Sequence, residues 1–161
     1  MGNKKEIIVI LSNILKPNGF KKKGNLWSLE SHECYSLLAL DQSTWGGQFS
    51  ILLNVIVKAL NNIEIPKSIY GGFGGWSLDW LLPERETLQK CLDLEREDIN
   101  TVQRKSVIED ALQNYGVPFL LEINSIDGLK NVLVKNKRLR YHTTLTLWNF
   151  LNIAIDKEPK L

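Results

Sequence analysis

The fold of this chain is decided by one stretch, GFKKKGNLW, which runs from Gly19 to Trp27. Before it, apolar residues recur at spacings of three and four, which is typical of an amphipathic helix with one buried stripe: Ile7, Ile8, Leu11, Ile14 and Leu15. Pro17 and Gly19 end that helix. From Leu26 onward, apolar and polar residues alternate with a period of two, as in a half-buried strand. The stretch is therefore the junction between a leading helix and an antiparallel sheet.

Four antiparallel strands are predicted after this junction. The first begins at Leu26 and the second covers Cys34 to Leu40, so that the two form a hairpin. The third, Phe49 to Val57, follows a Trp-Gly-Gly turn and is apolar on both faces, which is typical of a central strand. The fourth runs from Gly75 to Leu82.

The second half of the chain predicts helices. Apolar residues at helical spacing outline four of them, over Glu84 to Leu94, Ile99 to Tyr115, Ser125 to Leu133 and about Thr143 to Ile155. Gly116-Val117-Pro118 closes the second, and Phe119 to Ile123 is an apolar bridge that could form a short strand. The order indicates one α+β domain over residues 1–161, with an N-terminal helix, a four-stranded antiparallel sheet and three to four C-terminal helices packed on one face.

Composition excludes several classes of protein. With 43% apolar and 24% charged residues, the chain is close to the globular average. Its apolar runs are well short of the roughly 20 residues that cross a bilayer, so we expect no membrane partner and a cytoplasmic protein. Cys34 and Cys91 lack C-x-x-C spacing and a histidine partner at metal-ligand spacing, so we expect buried free thiols, no metal and no cofactor.

Charge is unevenly distributed along the chain although its net value is only +2. Residues 61–100 carry four basic and eight acidic side chains, whereas the segments before and after them are net basic. This segregation could mark complementary surfaces for a partner, or it could be the ordinary sorting of charge on helix surfaces.

Lys21, Lys22 and Lys23 are the first candidate binding residues. Beside Trp27 they have the ingredients of a phosphate-backbone contact next to a stacking aromatic ring, which favours a nucleic-acid partner. The alternative is a solvated corner after a helix C-terminus, where lysines meet the negative end of the helix dipole and Trp27 packs inward.

Aromatic residues beside glycine turns supply the remaining binding candidates. They are Trp45 and Gln48 in the Trp-Gly-Gly-Gln turn, and Tyr70, Phe73 and Trp76 around the glycine-rich loop 71–75. That loop lacks the spacing of a phosphate-binding loop and precedes a predicted strand, so we interpret it as a flexible hairpin loop that could carry an aromatic lip over a groove. We expect Trp45 to be exposed and therefore the first choice for a contact residue.

No catalytic set is predicted. The histidines, His32 and His142, do not fall in any hydrolase or metalloprotease motif. Asp41 and Asp79 could form an acid–base pair if their strands were adjacent, although surface positions are the more ordinary expectation.

Two motifs carry a resemblance to a known family. The stretch GFKKKGNLW and the later segment QSTWGGQFSILLNV, residues 42–55, resemble small, mostly bacterial proteins known only as a domain of unknown function, DUF4304. The resemblance covers residues 1–60 well and the helical remainder more loosely. It implies a fold and a cytoplasmic setting, and it supplies no activity or catalytic residue.

These observations favour a non-enzymatic cytoplasmic protein-interaction module whose partner is another protein, and an accessory or immunity-type protein is one form that such a module could take. One alternative is a nucleic-acid-associated protein that uses the Lys21–Lys23 corner, and another is a small hydrolase or transferase assembled from residues distant in sequence. The sequence leaves the oligomeric state open.

Overall fold

A computed structural model describes residues 3–61 and 64–154 of the chain. Its described part is an α+β structure of one five-stranded antiparallel sheet and seven α-helices. The strands are β1 (Lys21–Lys23), β2 (Leu26–Glu30), β3 (Cys34–Gln42), β4 (Phe49–Val57) and β5 (Trp76–Ser77). The helices are α1 (Lys4–Leu15), α2 (Arg85–Cys91), α3 (Thr101–Ala111), α4 (Val117–Glu122), α5 (Ile126–Lys135), α6 (Lys137–Tyr141) and α7 (Leu145–Leu151).

The sheet has the strand order β1-β2-β3-β4-β5, so every strand lies beside its neighbours in sequence. β3 and β4 pair over their full lengths, from Cys34 opposite Val57 to Gln42 opposite Phe49, and form the centre of the sheet. The predicted central position of Phe49 to Val57 is confirmed, because β4 has a partner on each side. β1 lies at one edge of the sheet.

The two faces of the sheet are covered by different parts of the chain. The helices contribute their buried residues to one large cluster that includes Trp27, Leu38 and Leu53 of the sheet. The opposite face has a smaller cluster that contains Tyr35 and Leu37, and the segment after β4 covers part of it with Ile69. We call these the helix face and the groove face.

Two expectations about the strands are wrong. The sheet has five strands, because Lys21–Lys23 pairs with β2 although its three lysines show no apolar alternation. The predicted strand over Gly75 to Leu82 pairs only at Trp76 and Ser77, and residues 78–81 form a 3₁₀ turn. This turn is stabilised by Asp79, whose carboxylate accepts hydrogen bonds from Ser77, Arg85 and Gln89.

The C-terminal half contains more and shorter helices than expected. Six helices follow the sheet in the described residues, against the three or four predicted. Gly116-Val117-Pro118 does not end a helix: a π-helical turn at Leu112–Gly116 leads directly into α4. Pro118 lies in the first turn of α4, where a missing N–H group is tolerated. The segment Phe119 to Ile123, interpreted above as a bridge, is therefore mostly helical, and Ile155 lies outside the described residues.

Two buried side chains join the helices to the sheet. The Trp76 indole Nε1–H donates to the carbonyl of Leu139 at 2.9 Å, and its ring packs edge-on against Phe119 with centroids 5.5 Å apart. Ser36 of β3 donates its hydroxyl to the carbonyl of Leu120 at 2.6 Å, near the C-terminal end of α4. These bonds fix the helices on one face of the sheet, and the opposite face is only partly covered.

A candidate binding groove

A groove of about 640 Å³ runs along β1 and β2 on the groove face. Its strand side carries Lys21, Lys23, Leu26, Ser28 and Glu30. Residues 64–66 form the opposite wall, and His32, Tyr35 and Lys58 lie at one end. A second hollow of about 520 Å³ shares Lys23, Glu64 and Ile65 with it and adds Lys67. The two together form what we call the lysine groove.

The lysines take their places from a tight hairpin between β1 and β2. Only Gly24 and Asn25 connect the strands, and Gly24 has φ 62°, a left-handed conformation that favours glycine. Lys21 lies opposite Ser28 and Lys23 opposite Leu26, which directs both side chains to the groove face. Lys22 alternates to the other face, where its Nζ lies 5.6 Å from the ring centroid of Trp27.

One end of the lysine groove is held by a charged network. Lys58 Nζ donates to Glu30 Oε2 at 2.5 Å and lies 4.9 Å from the ring centroid of Tyr35. The Tyr35 hydroxyl donates to Glu30 at 3.2 Å and to the carbonyl of Glu64 at 2.7 Å, which attaches the wall to the sheet. The hydrogen bond from Lys58 lowers the pKa of Glu30, and burial, with Glu30 nearby, raises the pKa of Tyr35.

The lysines of β1 differ from Lys58 in their pairing. Among the ion pairs of residues 3–61 and 64–154, Lys58 is matched by Glu30, whereas Lys21, Lys22 and Lys23 take part in none. All three β1 residues are exposed. Apolar surface lies directly beside this charge, because Leu26 and Ile65 line the same groove and the Ile65 side chain is 60% exposed. The site can therefore attract an anionic group and also contact apolar surface.

Trp45 is exposed as expected, and its neighbours are firmly held. Its side chain is 94% exposed, while its backbone N–H donates to the Ser43 hydroxyl at 3.2 Å. Gly47 has no room for a side chain, because an added Cβ would lie 2.7 Å from Cγ of Glu95. Gln48 is half-buried and donates its amide to the carbonyls of Phe49 and Gln89, so its side chain is already engaged within the chain.

The expected aromatic lip does not form as predicted. Trp76 is only 1% exposed, so its proposed contact with a partner is wrong. Phe73 is half-buried and packs against both clusters, whereas Tyr70 is 74% exposed and its role in binding stays a prediction. The glycine loop is attached to β4, because Asn54 accepts from the Gly74 N–H at 2.8 Å and donates to the carbonyl of Ile69 at 2.6 Å.

The candidate acid–base residues lie in separate environments. The Asp79 carboxylate is buried and hydrogen-bonded as described above, and Asp41 pairs across the sheet with Ser50. His32 lies at the end of the lysine groove, whereas His142 packs against the Trp80 ring with centroids 4.4 Å apart. Among the described residues, no group of three or more His, Cys, Asp or Glu side chains could hold a metal ion.

Burial raises the pKa of Cys34 to about 11, so this thiol is protonated at neutral pH.

Sequence reasoning found the lysines of the groove but missed the rest of it. Tyr35, Lys58 and residues 64–66 come from three separate parts of the chain, and nothing in their local pattern connects them. The predicted hairpin indicates one part of the site, because it brings Glu30 and Tyr35 opposite each other. The position of the wall depends on a long connection after β4, which has no periodic pattern to read.

No described helix is long and apolar enough to cross a membrane. No curated protein and no solved structure matches the chain. The family model described as "Domain of unknown function (DUF4304)" matches residues 11–122, which include the whole sheet and every lining residue of the lysine groove. The match spans more than two thirds of the sequence, so the chain belongs to the DUF4304 family.

Proposed function

We propose that this chain is a non-enzymatic protein-interaction module that binds an acidic segment of a partner protein in the lysine groove. The observation that carries the proposal is the groove itself, in which lysines without an ion-pair partner in the described chain lie beside exposed apolar surface. An acidic peptide with apolar side chains would satisfy both properties at once, and complementary charge would speed its association.

Two features favour a protein over a nucleic acid. Trp27, the aromatic residue next to the lysines in sequence, is fully buried and cannot stack on a base. Glu30 and Glu64 also line the groove and interrupt its positive charge, which suits a peptide with spaced acidic side chains better than a backbone with a phosphate at every residue. Three consecutive exposed lysines still favour the nucleic-acid alternative, so the experiment includes a DNA probe.

The proposal assigns no chemical step to the groove. His32 is the one histidine there, and Asp79 and His142 are engaged elsewhere, so the hydrolase or transferase alternative has no assembled residue set to support it. The cytoplasmic setting and an immunity-type role, in which the chain would occlude its partner, stay predictions. Genes adjacent to this one would bear on the latter.

The test compares charge reversal in the groove with the same reversal elsewhere. The groove variant is Lys21→Glu with Lys23→Glu, and the control is Lys130→Glu with Lys135→Glu, which changes two exposed helical lysines. The probe is a fluorescently labelled peptide of alternating Glu and Leu, and its affinity is measured by anisotropy at low and high salt. Single-stranded DNA of matched charge serves as the competing probe.

We expect the peptide to bind the unmodified chain and the control variant equally well. The groove variant should lose about tenfold in affinity or more, since an exposed ion pair contributes up to about 1 kcal/mol and about 1.4 kcal/mol corresponds to tenfold. Equal affinity of the groove and control variants would overturn the proposal. Tighter binding of the DNA than of the peptide, lost in the groove variant, would replace it by the nucleic-acid alternative.

A further inference from the structure

The chain carries an acidic surface of its own, far in sequence from the lysine groove. Residues 93–98 contain four carboxylates and one arginine. Arg96 forms an ion pair with Asp98, to which it donates two hydrogen bonds, at 2.9 and 2.7 Å. Within the described residues Glu95 and Glu97 enter no ion pair, and both side chains are exposed. We call residues 93–98 together with Trp45 the acidic knob.

Backbone hydrogen bonds attach the start of the acidic knob to the end of the sheet. The N–H of Phe49 donates to the carbonyl of Leu92 at 2.8 Å, and the N–H of Leu94 donates to the carbonyl of Gly47 at 3.0 Å. Buried Arg104 adds a bond from its Nε to the carbonyl of Cys91 at 2.8 Å. These bonds attach the start of the knob to the sheet, and such attachment reduces the backbone entropy that is lost when the knob binds.

The composition of the acidic knob complements that of the lysine groove. The knob offers unpaired carboxylates and one exposed tryptophan, whereas the groove offers unpaired lysines and the exposed side chain of Ile65. A lysine over the face of Trp45 would add a cation–π contact. Tryptophan is also one of the residue types that most often dominate the affinity of an interface.

From this complementarity we infer that the lysine groove of one molecule binds the acidic knob of a second copy of the same chain. The inference rests on the proposed function, for which it names the acidic segment. Because groove and knob share no residue, the contact joins unlike surfaces, and each molecule can take part in two such contacts. Association is then head-to-tail, it rises with protein concentration, and added salt weakens it by screening.

The experiment measures molar mass by analytical ultracentrifugation over a range of concentrations at low and high salt. The groove variant is Lys21→Glu with Lys23→Glu, and the knob variant is Glu95→Lys with Glu97→Lys. The controls make the same charge changes on exposed helical positions: Asp110→Lys with Asp127→Lys matches the knob variant, and Lys130→Glu with Lys135→Glu matches the groove variant. Circular dichroism melts establish that each variant is folded before its mass is compared.

We expect the unmodified chain and the controls to associate at low salt and to dissociate as salt is added. Each of the other two variants should stay monomeric alone, because its groove and knob carry the same sign of charge. A mixture of the two should associate again, since each variant supplies a surface that complements the other. Trp45→Ala should shift the association curve of the unmodified chain to higher concentration by about tenfold or more.

Three results would overturn the inference: a monomeric unmodified chain at every concentration and at low salt, variants that associate like the controls, or a mixture that stays monomeric. The Glu–Leu peptide separates this failure from that of the proposed function. If the chain is monomeric but binds the peptide through the lysines, the groove recognises another protein. If the chain associates and the peptide competes with association, both proposals are supported.

Discussion

The helix face and the groove face belong to the same strands, but the first is packed against helices and the second is partly open. On the helix face Trp27, Leu38 and Trp76 are almost completely buried, and the space is filled. On the groove face β1 and β2 carry polar residues, among them Lys21, Lys23 and Ser28. One irregular segment after β4 covers part of this face. Stabilising contacts are therefore concentrated on the helix face, which leaves the groove face available for binding.

Replacement of Trp76 by alanine should disrupt the packing of the helix face and lower the free energy of unfolding more than the other substitutions below. Loss of a buried tryptophan costs about 3–5 kcal/mol, and here the bond to the Leu139 carbonyl is lost as well. Trp45→Ala is the matched control, since it removes the same side chain from an exposed position and should change the free energy of unfolding by less than about 0.5 kcal/mol. Urea unfolding of both variants measures the difference, and similar midpoints would contradict the burial of Trp76.

Gly72→Ala should destabilise the segment after β4 that covers part of the groove face. An added Cβ would lie 2.3 Å from the side chain of Asn54, which is fixed by three hydrogen bonds. We expect a loss of about 1–3 kcal/mol in the free energy of unfolding. Gly71→Ala, one position earlier, meets nothing within 4 Å and is the control. Equal stabilities of the two variants would show that the segment is free to shift.

Tyr35→Phe should detach the wall of the lysine groove with little change in the sheet. The variant lacks the hydroxyl that donates to Glu64 and Glu30. A hydrogen bond of this kind contributes about 1 kcal/mol, so the melting temperature should fall slightly. Trypsin cleavage after Lys67, an exposed residue directly after the wall, should therefore become faster than in the unmodified chain. An unchanged rate of cleavage at Lys67 would show that other contacts hold the wall.

The smallest effect should be the pH dependence that Glu30 contributes. Its pKa is lowered in the folded chain, chiefly by the hydrogen bond from Lys58. The stabilisation is therefore complete above the ordinary glutamate pKa and is lost as the pH falls through the lower folded value. Glu30→Gln removes this contribution, so the stability difference between the two chains should shrink in that acidic range. A difference that grows with acid would contradict the assignment.

Local signals in the sequence predict some elements of this structure and miss others. Helix α1, the hairpin around residues 31–33 and the central strand Phe49 to Val57 follow from apolar periodicity and turn residues, and these are local signals. The strand Lys21–Lys23 and the 3₁₀ turn after Trp76 were missed, because the first is held by pairing with β2 and the second by the buried Asp79. Both depend on contacts that periodicity does not encode.

The candidate site was predicted only in part for the same reason. Three consecutive lysines and an exposed tryptophan in a glycine turn are visible in the sequence, and the structure places them on open surface. Trp76 was a binding candidate because it follows the glycine loop, and the structure buries it on the helix face. The groove wall at residues 64–66 reaches the sheet through the Tyr35 hydroxyl, a contact between distant parts of the chain.

The position of β1 at the edge of the sheet has a consequence for the lysines that is independent of any ligand. An edge strand exposes unpaired backbone N–H and C=O groups, which can pair with a strand of another molecule and start aggregation. A very short strand composed of lysines opposes such pairing, because two copies would bring like charges together. Neutral or apolar replacements in β1 would remove this protection. For that reason, variants of the groove are better made with glutamate, which keeps the edge charged.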